Sequence, residues 1–159
     1  MGMNNSRNFG LLTLGQVLLR LSPPDNERLS RGDTFVKQVG GAELNVAVGA
    51  ALLGLHTGVI SKLPAHDIGS FMKGKIRSFG VSDDFFMYDQ SSSARVGIYY
   101  YENGAYPRKP KVIYDRNNSS FFSLNIDEIP EEVYTASKCF HTTGITLALN
   151  EDIRETTID

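Results

Sequence analysis

The chain has 159 residues, of which 41% are hydrophobic and 21% are charged, a balance typical of one globular domain with its own core. The formal net charge of -2 gives no electrostatic argument for a nucleic-acid partner or an anionic membrane surface. The single cysteine excludes an internal disulfide framework and fits a reducing compartment. No apolar run is long enough to span a bilayer, so we expect a cytoplasmic protein without a membrane partner.

Residues 1–8 carry one basic residue and no hydrophobic stretch, so they do not have the composition of a secretory signal. Gly2 and Ser6 fit the M-G-x-x-x-S pattern of N-myristoylation, which is a short motif. We expect a disordered tail over these residues, with myristoylation as the alternative.

In the first half of the chain, apolar runs and turn-forming residues predict alternating strands and helices. Gly15 interrupts the first apolar run, which predicts a bend in a buried strand. Gly40 and Gly41 suit a tight strand-to-helix junction, and Asp67 is the candidate N-cap of the second helix. The predicted elements are a bent strand, a half-exposed strand, a helix, a buried strand, a second helix and a strand, over residues 9–21, 34–39, 42–53, 57–61, 67–79 and 84–88.

Residues 94–116 predict a β-hairpin. Two β-rich runs, RVGIYYY and KVIYD, flank a turn region that contains Asn103-Gly104 and two prolines. The tyrosines of the hairpin alternate between its faces, so one face is expected to pack and the other to meet solvent. They are Tyr99, Tyr100, Tyr101 and Tyr114.

Three elements are predicted after the hairpin. Residues 127–138 read as a helix, and residues 139–149 as a strand that leads into a glycine loop. Asn150 is the candidate N-cap of a last helix with acids in its first turn. Because such a crossover helix leads to another parallel strand, we expect a truncated domain, with a natural C-terminal helix as the alternative.

Together the elements predict an α/β fold with a mostly parallel sheet flanked by helices and a small inserted β-sheet lid. A dinucleotide-binding domain is disfavoured because the sequence lacks G-x-G-x-x-G and its paired glycines come too late after the first strand. No Cys/His spacing matches a zinc site, so no metal ligand is expected. Cys139 and His141 are expected to be core residues.

Several segments together resemble the 2-keto-3-deoxygluconate kinases of the ribokinase-like (PfkB) family. They are VGGAELNVAVGAALLGL, GVISKLPAHDIGSFMKGKIRSFGV, ARVGIYYYENG, VIYDRNNSS and HTTGITLAL. The resemblance implies a ribokinase-like fold, of which residues 9–159 are the N-terminal part, with lid segments at about 20–39 and 94–116. It also implies a kinase that transfers the γ-phosphoryl group of ATP to a sugar acid, with Mg²⁺ accompanying ATP, and a homodimer through the lid.

The family's catalytic aspartate follows a glycine-rich anion hole at a helix N-terminus, where free N–H groups stabilise the transferring phosphoryl group. A motif of this type, G-A-G-D, is absent from the sequence. The resemblance therefore implies that this half has no catalytic residue, holds neither ATP nor Mg²⁺, and is inactive by itself. The alternative is a non-catalytic product of a shortened gene that binds a sugar acid or dimerises.

The resemblance assigns substrate contacts to the hairpin and to the segments that follow two of the predicted strands. Arg116 suits the carboxylate of a sugar acid, because its guanidinium is a planar fork of donors. The alternative is a surface arginine paired with Asp115 or Glu128. Gln16 stands where relatives usually have glutamate. The implied substrate-binding residues are Gly40, Gly41, Asn45, Tyr99, Tyr114, Arg116, Thr143 and Gly144.

Overall fold

The computed structural model describes residues 9–158. The predicted tail over residues 1–8, with its myristoylation pattern, lies outside the described residues. The strands are β1 (Leu11–Leu14), β2 (Leu18–Ser22), β3 (Val36–Gly40), β4 (Thr57–Pro64), β5 (Val81–Ser82), β6 (Phe86–Asp89), β7 (Gly97–Glu102), β8 (Lys111–Asp115) and β9 (Phe140–His141). The α-helices are α1 (Ala42–Leu52), α2 (Asp67–Ser78), α3 (Val133–Ala136), α4 (Gly144–Leu147) and α5 (Glu151–Ile158), and two 3-10 helices span Ser120–Ser123 and Ile126–Glu128.

The larger sheet, called the central sheet below, has the order β5-β4-β1-β9, and β6 also pairs with β4. All of these pairings are parallel, and Leu12 lies opposite both Gly58 and Phe140. Every residue of β1 and β4 is buried. Burial on both faces explains why neither strand shows an alternation of apolar and polar residues.

Helices cover both faces of the central sheet. On one face, Leu44 of α1 and Met72 of α2 pack in a core cluster with Val59 of β4. On the other face, Ile153 of α5 packs in a second cluster with Leu12 of β1. Helices on both faces of a parallel sheet are the doubly wound α/β arrangement, so the predicted fold class is confirmed.

The smaller sheet, called the lid sheet below, has the strand order β3-β2-β7-β8. β2 and β7 run parallel, whereas β3 and β8 pair antiparallel at its two edges. The antiparallel pairing of β7 with β8 confirms the predicted hairpin. One face packs on the core through Leu19 and Ile98, and the other presents Arg20, Tyr99 and Tyr114 in one row across three strands.

The prediction of one bent strand over residues 9–21 is wrong, because β1 and β2 belong to different sheets. The Gly15 N–H still donates to the Ile60 carbonyl, 3.2 Å away, at the end of the central sheet. Beyond this bond the chain leaves the central sheet and enters the lid sheet at Leu18. An apolar run does not show where a strand changes sheet, since both stretches bury the same types of residue.

The helix predicted over residues 127–138 is also wrong. The chain forms the 3-10 helix Ile126–Glu128, then an extended Ile129 with φ -83° and ψ 120°, and then the single turn of α3. Pro130 explains the break, because proline has no N–H to donate and disfavours helical backbone at the residue before it.

The helix N-caps were predicted with mixed success. His66, not Asp67, is the N-cap of α2, and its Nδ1 accepts from the Gly69 N–H at 3.5 Å. Asp67 instead occupies the first turn, where its charge favours the positive end of the helix dipole. Asn150 is confirmed as the cap of α5, because its Oδ1 accepts from the Ile153 N–H at 2.7 Å.

Two other expectations for the last third of the chain are corrected. Cys139 is exposed instead of buried, because it immediately precedes the short strand β9 at the open edge of the central sheet. Gly144 begins the single turn of α4 instead of lying in a loop. Within residues 9–158, the helices are all too short or too polar to cross a bilayer.

Candidate functional site

A cavity of about 470 Å³ lies between the lid sheet and the first turn of α1. The lid sheet lines it with alternate residues of β2, β7 and β8, because side chains on one face of a strand repeat every second residue. The first turn of α1 provides the facing wall. The lining residues are Gln16, Leu18, Arg20, Gly41, Ala42, Glu43, Asn45, Tyr99, Tyr101, Val112, Tyr114, Arg116 and Ile145.

The predicted substrate residues come from separate segments, and the fold brings most of them to this cavity. Those that line it are Gly41, Asn45, Tyr99, Tyr114 and Arg116. Gly40, Thr143 and Gly144 lie outside the lining but contact or neighbour residues within it, as described below.

Arg116 projects into the cavity and is held by a neutral side chain. Its Nε donates to the Gln16 Oε1 at 2.8 Å, and its Cζ lies 5.9 Å from the ring centroid of Tyr114. Burial lowers the pKa of the guanidinium from its ordinary value, an effect that the neighbouring Tyr114 and Glu43 oppose. The guanidinium remains a cation, and its other N–H donors are available to a ligand in the cavity.

The alternative partners considered for Arg116 are both engaged elsewhere. Asp115 accepts from Arg95 Nη2 at 2.8 Å, and Glu128 pairs with Lys62 Nζ at 2.7 Å. Among residues 9–158, no carboxylate forms an ion pair with Arg116. The interpretation of Arg116 as an ordinary surface ion pair is therefore wrong.

Gln16 clamps the segment that carries Arg116. The amide is buried, with 3% exposure, and its Nε2 donates to the Ser119 Oγ at 2.6 Å and to the Arg116 carbonyl at 3.4 Å. Its Oε1 accepts from the guanidinium at the same time. A glutamate here would be acceptor-only when ionised, so the amide permits donor contacts that a carboxylate would not make.

The paired glycines shape the junction between β3 and α1. Gly41 is the N-cap of α1 with φ 148°, and a Cβ there would lie 2.7 Å from the Gln16 carbonyl oxygen. A Cβ on Gly40 would lie 2.4 Å from the Tyr99 Oη, so glycine lets the phenol reach the junction. Burial raises the pKa of Tyr99, which keeps this phenol a neutral donor at physiological pH.

Glu43 is a buried carboxylate in the first turn of α1, with 2% exposure. Its Oε1 accepts from the Thr143 N–H at 3.2 Å, the Thr143 hydroxyl at 2.5 Å and the Thr146 hydroxyl at 2.7 Å. A Cβ on Gly15 would lie 2.3 Å from the carboxyl group. Glu43 therefore ties the turn of α4, including Thr143 and its neighbour Gly144, to the helix that walls the cavity.

The residues that the prediction from sequence missed include three polar ones, Arg20, Glu43 and Tyr101. Arg20 and Tyr101 lie on the same face of the lid sheet as Tyr99, and strand alternation along residues 97–102 was an available signal for Tyr101. Glu43 offered no local signal beyond its place in an apolar helix, because its partners are Thr143 and Thr146.

A second cavity, of about 360 Å³, lies beside β9 and includes Leu14, Ile60 and Phe140 in its lining. None of the predicted substrate residues is among the described residues that line it. In the part of the chain that the structure describes, no group of three or more His, Cys, Asp or Glu side chains is placed to hold a metal ion.

Comparison with known proteins gives relatives over almost the whole chain. The model of the pfkB family carbohydrate kinases matches residues 9–159. A 2-dehydro-3-deoxygalactonokinase of Haloferax volcanii is 39% identical over 147 residues, which cover 92% of this chain and 45% of that protein. A 5-dehydro-2-deoxygluconokinase of Bacillus cereus is 30% identical over 144 residues, which cover 90% of this chain and 43% of that protein.

Solved structures agree with these sequence matches. The crystal structure of a 2-dehydro-3-deoxygluconokinase from Thermotoga maritima superimposes with a TM-score of 0.88 at 36% identity. The match covers 94% of this chain and 45% of that one. This chain therefore spans less than half the length of the relatives that it matches.

Proposed function

Because the chain belongs to the pfkB family of carbohydrate kinases, we propose that it is the substrate-binding half of a kinase for a sugar acid such as 2-keto-3-deoxygluconate. The observation that carries the proposal is Arg116, a cavity-lining guanidinium held by the neutral Gln16 and unpaired with any described carboxylate. Its donor fork suits a ligand carboxylate. The relatives named above are kinases of dehydro-deoxy sugar acids, which supports the same substrate class.

In this proposal each wall of the cavity has its own task. The carboxylate contacts Arg116 beside Tyr114, and the Asn45 amide and Tyr99 phenol bond the hydroxyl groups of the sugar. The glycines at the start of α1 let the sugar approach the backbone closely. The turn of α4 lies beside the site, where Glu43 holds it. The proposed substrate-binding residues are Gly40, Gly41, Asn45, Tyr99, Tyr114, Arg116, Thr143 and Gly144.

The proposed reaction transfers the γ-phosphoryl group of ATP to a sugar hydroxyl, with Mg²⁺ bound to the nucleotide. Residues 9–158 do not fit these two groups. The sequence lacks a G-A-G-D type anion hole, and the described acids form no metal-binding cluster. The proposal therefore assigns substrate binding to this chain, assigns no phosphoryl-transfer step to its residues, and expects no kinase activity from the 159-residue chain alone.

A calorimetric titration of the 159-residue chain with 2-keto-3-deoxygluconate tests the proposal. We expect Arg116→Ala to weaken binding by about 10- to 100-fold, the effect of losing one charge-assisted contact. The neutral sugar D-glucose should bind more weakly than the acid and should not respond to the substitution.

Arg77→Ala is the matched control, because Arg77 lies on α2 and contacts Asp83. It should leave the affinity for the acid unchanged. Equal affinity of the unmodified and Arg116→Ala chains for the acid, or no binding to the unmodified chain, would contradict the proposal.

One observation favours a second candidate, a non-catalytic sugar-acid-binding protein that dimerises through the lid sheet. β8 is an edge strand, and Val112, Ile113 and Tyr114 are 42%, 44% and 61% exposed. An exposed edge with apolar side chains is a template for pairing with a second copy. Sedimentation equilibrium of the chain and of Ile113→Lys tests the dimer, which the lysine should dissociate.

The intact mass of the protein in its source cell separates the two candidates. A mass above that of the 159-residue chain supports the kinase, and a mass equal to it favours the non-catalytic protein. For either candidate we propose the cytoplasm as the compartment, because the single cysteine fits reducing conditions. The net charge of -2 gives no reason to add a nucleic-acid partner.

A further inference from the structure

Arg20 is a second guanidinium in the cavity. The register of the lid sheet places Arg20 opposite Tyr99, and Tyr99 opposite Tyr114, so the three side chains share one face. Arg116 follows Tyr114 by two residues on the same face and lines the same cavity. With strands ~4.8 Å apart and ~3.3 Å of rise per residue, the two arginine backbones lie roughly 12 Å apart.

The contacts of Arg20 hold its guanidinium in place without neutralising it. Its Nε donates to the Ser22 Oγ at 2.9 Å, and its Cζ lies 4.2 Å from the ring centroid of Tyr101. The guanidinium also opposes the burial-driven rise in the pKa of Tyr99, which places it beside that phenol. A guanidinium has five N–H donors, so Arg20 keeps donors for a ligand after its bonds to Ser22 and Tyr99.

Among the arginines of residues 9–158, Arg20 and Arg116 share the lack of a carboxylate partner with the loop residues Arg28 and Arg31, but only Arg20 and Arg116 line the cavity. Neither forms an ion pair with a carboxylate among residues 9–158. The arginines that do contact a carboxylate are Arg77, Arg95, Arg108 and Arg154. Two fixed cations at separate points of one cavity indicate a ligand with electron-rich groups at both ends.

We propose that Arg20 is a specificity-determining residue that binds the hydroxyl-bearing end of a sugar acid whose carboxylate contacts Arg116. This inference rests on the proposed sugar-acid substrate and extends it. Arg116 by itself would accept any small carboxylate. Arg20, on the far side of the row formed with Tyr99 and Tyr114, selects an acid long enough to present oxygen atoms to both guanidinium groups.

An NMR titration of the full 159-residue chain tests this role, with arginine Nε–Hε signals observed directly. The two probes are 2-keto-3-deoxygluconate and pyruvate, which shares the 2-keto carboxylate but lacks the hydroxyl-bearing end. We expect Arg20→Gln to weaken binding of the longer acid by about tenfold, the effect of losing one charge-assisted contact. Binding of pyruvate should change by less than about twofold, whereas Arg116→Gln should weaken both.

Two further variants separate recognition from packing. Arg20→Lys keeps the charge and should restore part of the affinity for the longer acid, whereas Arg20→Gln removes the guanidinium that lies over the Tyr101 ring. Arg77→Gln, on α2, is the control and should change neither affinity. Thermal unfolding of each variant should match that of the unmodified chain.

The outcomes are distinguishable from failure of the proposed function. If the unmodified chain binds the longer acid and Arg20→Gln binds it equally well, only the role of Arg20 is overturned. Equal weakening for both acids would also overturn it, because a purely structural arginine would act on any ligand. Absence of binding by the unmodified chain to either acid would overturn the proposed function and the role of Arg20 together.

Discussion

The central sheet and the lid sheet bury their side chains to different extents. All residues of β1 and β4 are buried, whereas all residues of β8 are exposed and β7 buries only Gly97 and Glu102. Apolar burial is the main favourable term in folding, so the central sheet carries the stability of the fold. The lid sheet leaves arginine and tyrosine side chains at a cavity, where they are available to a ligand. Stability and recognition should therefore respond to different substitutions.

The largest effect is expected in the central sheet. Leu12 is fully buried between both neighbouring strands, and Leu12→Ala should lower the free energy of unfolding by about 2–5 kcal/mol through lost burial and a cavity. Urea denaturation measures it. Tyr114→Ala, at a 61% exposed position of the lid sheet, should cost about 0.5 kcal/mol or less while reducing affinity for the sugar acid. Similar losses of stability in the two variants would contradict the assignment of stability to the central sheet.

A smaller effect is expected where the core meets the cavity. Glu43→Ala would leave the Thr143 N–H and the hydroxyls of Thr143 and Thr146 without their acceptor. The expected loss of unfolding free energy is about 2–3 kcal/mol, because donors left unsatisfied in a buried site are costly. Glu43→Gln keeps a carbonyl acceptor and should recover at least half of that loss. If the two variants were equally destabilised in urea, the negative charge and not the acceptor geometry would hold α4.

The smallest effect concerns Asp89, at the end of β6 in the central sheet, at acid pH. Burial opposes ionisation of Asp89, but bonds from the Ser91 N–H at 2.9 Å and the Ser120 hydroxyl at 2.8 Å lower its pKa below 3.8. A pKa depressed in the folded state means that the unfolded chain binds more protons, so this stabilisation is present above pH 3.8 and lost as pH falls through the folded pKa.

We therefore expect Asp89→Asn to lose less stability than the unmodified chain when the pH falls from 6 to 3, as ionisation no longer contributes at this position. Urea denaturation at both pH values measures the difference. Glu131→Gln, at an exposed position, is the charge-matched control and should behave like the unmodified chain. An unchanged pH dependence in Asp89→Asn would show that ionisation of Asp89 contributes nothing to stability at acid pH.

Local patterns predicted most of the elements but not their assembly. The buried run at 57–61 lies within β4, and the hairpin, α1 and α2 occur where periodicity and glycine ends placed them. These signals succeed because capping and side-chain alternation depend on residues only a few positions apart. The failed helix over residues 127–138 belongs to the same class, since Pro130 was a local signal that outweighed composition.

The candidate site was predicted in part by resemblance. Gly41, Asn45 and Arg116 line the cavity with the two predicted tyrosines, Tyr99 and Tyr114. Composition and periodicity alone would not have selected them, because a glycine pair, an amide and a surface arginine each have ordinary structural uses. Arg20 was missed because its importance depends on the partner strand, which places it opposite Tyr99.

The sequence by itself determined the α/β class, the buried parallel strands, the hairpin and the chemistry that its side chains can supply. Tertiary structure decided that the run after Gly15 changes sheet, that Gln16 holds Arg116, and that Glu43 ties α1 to α4. These contacts join residues about a hundred positions apart. Their geometry depends on how the two sheets and the helices pack, and short-range propensity contains no information about that packing.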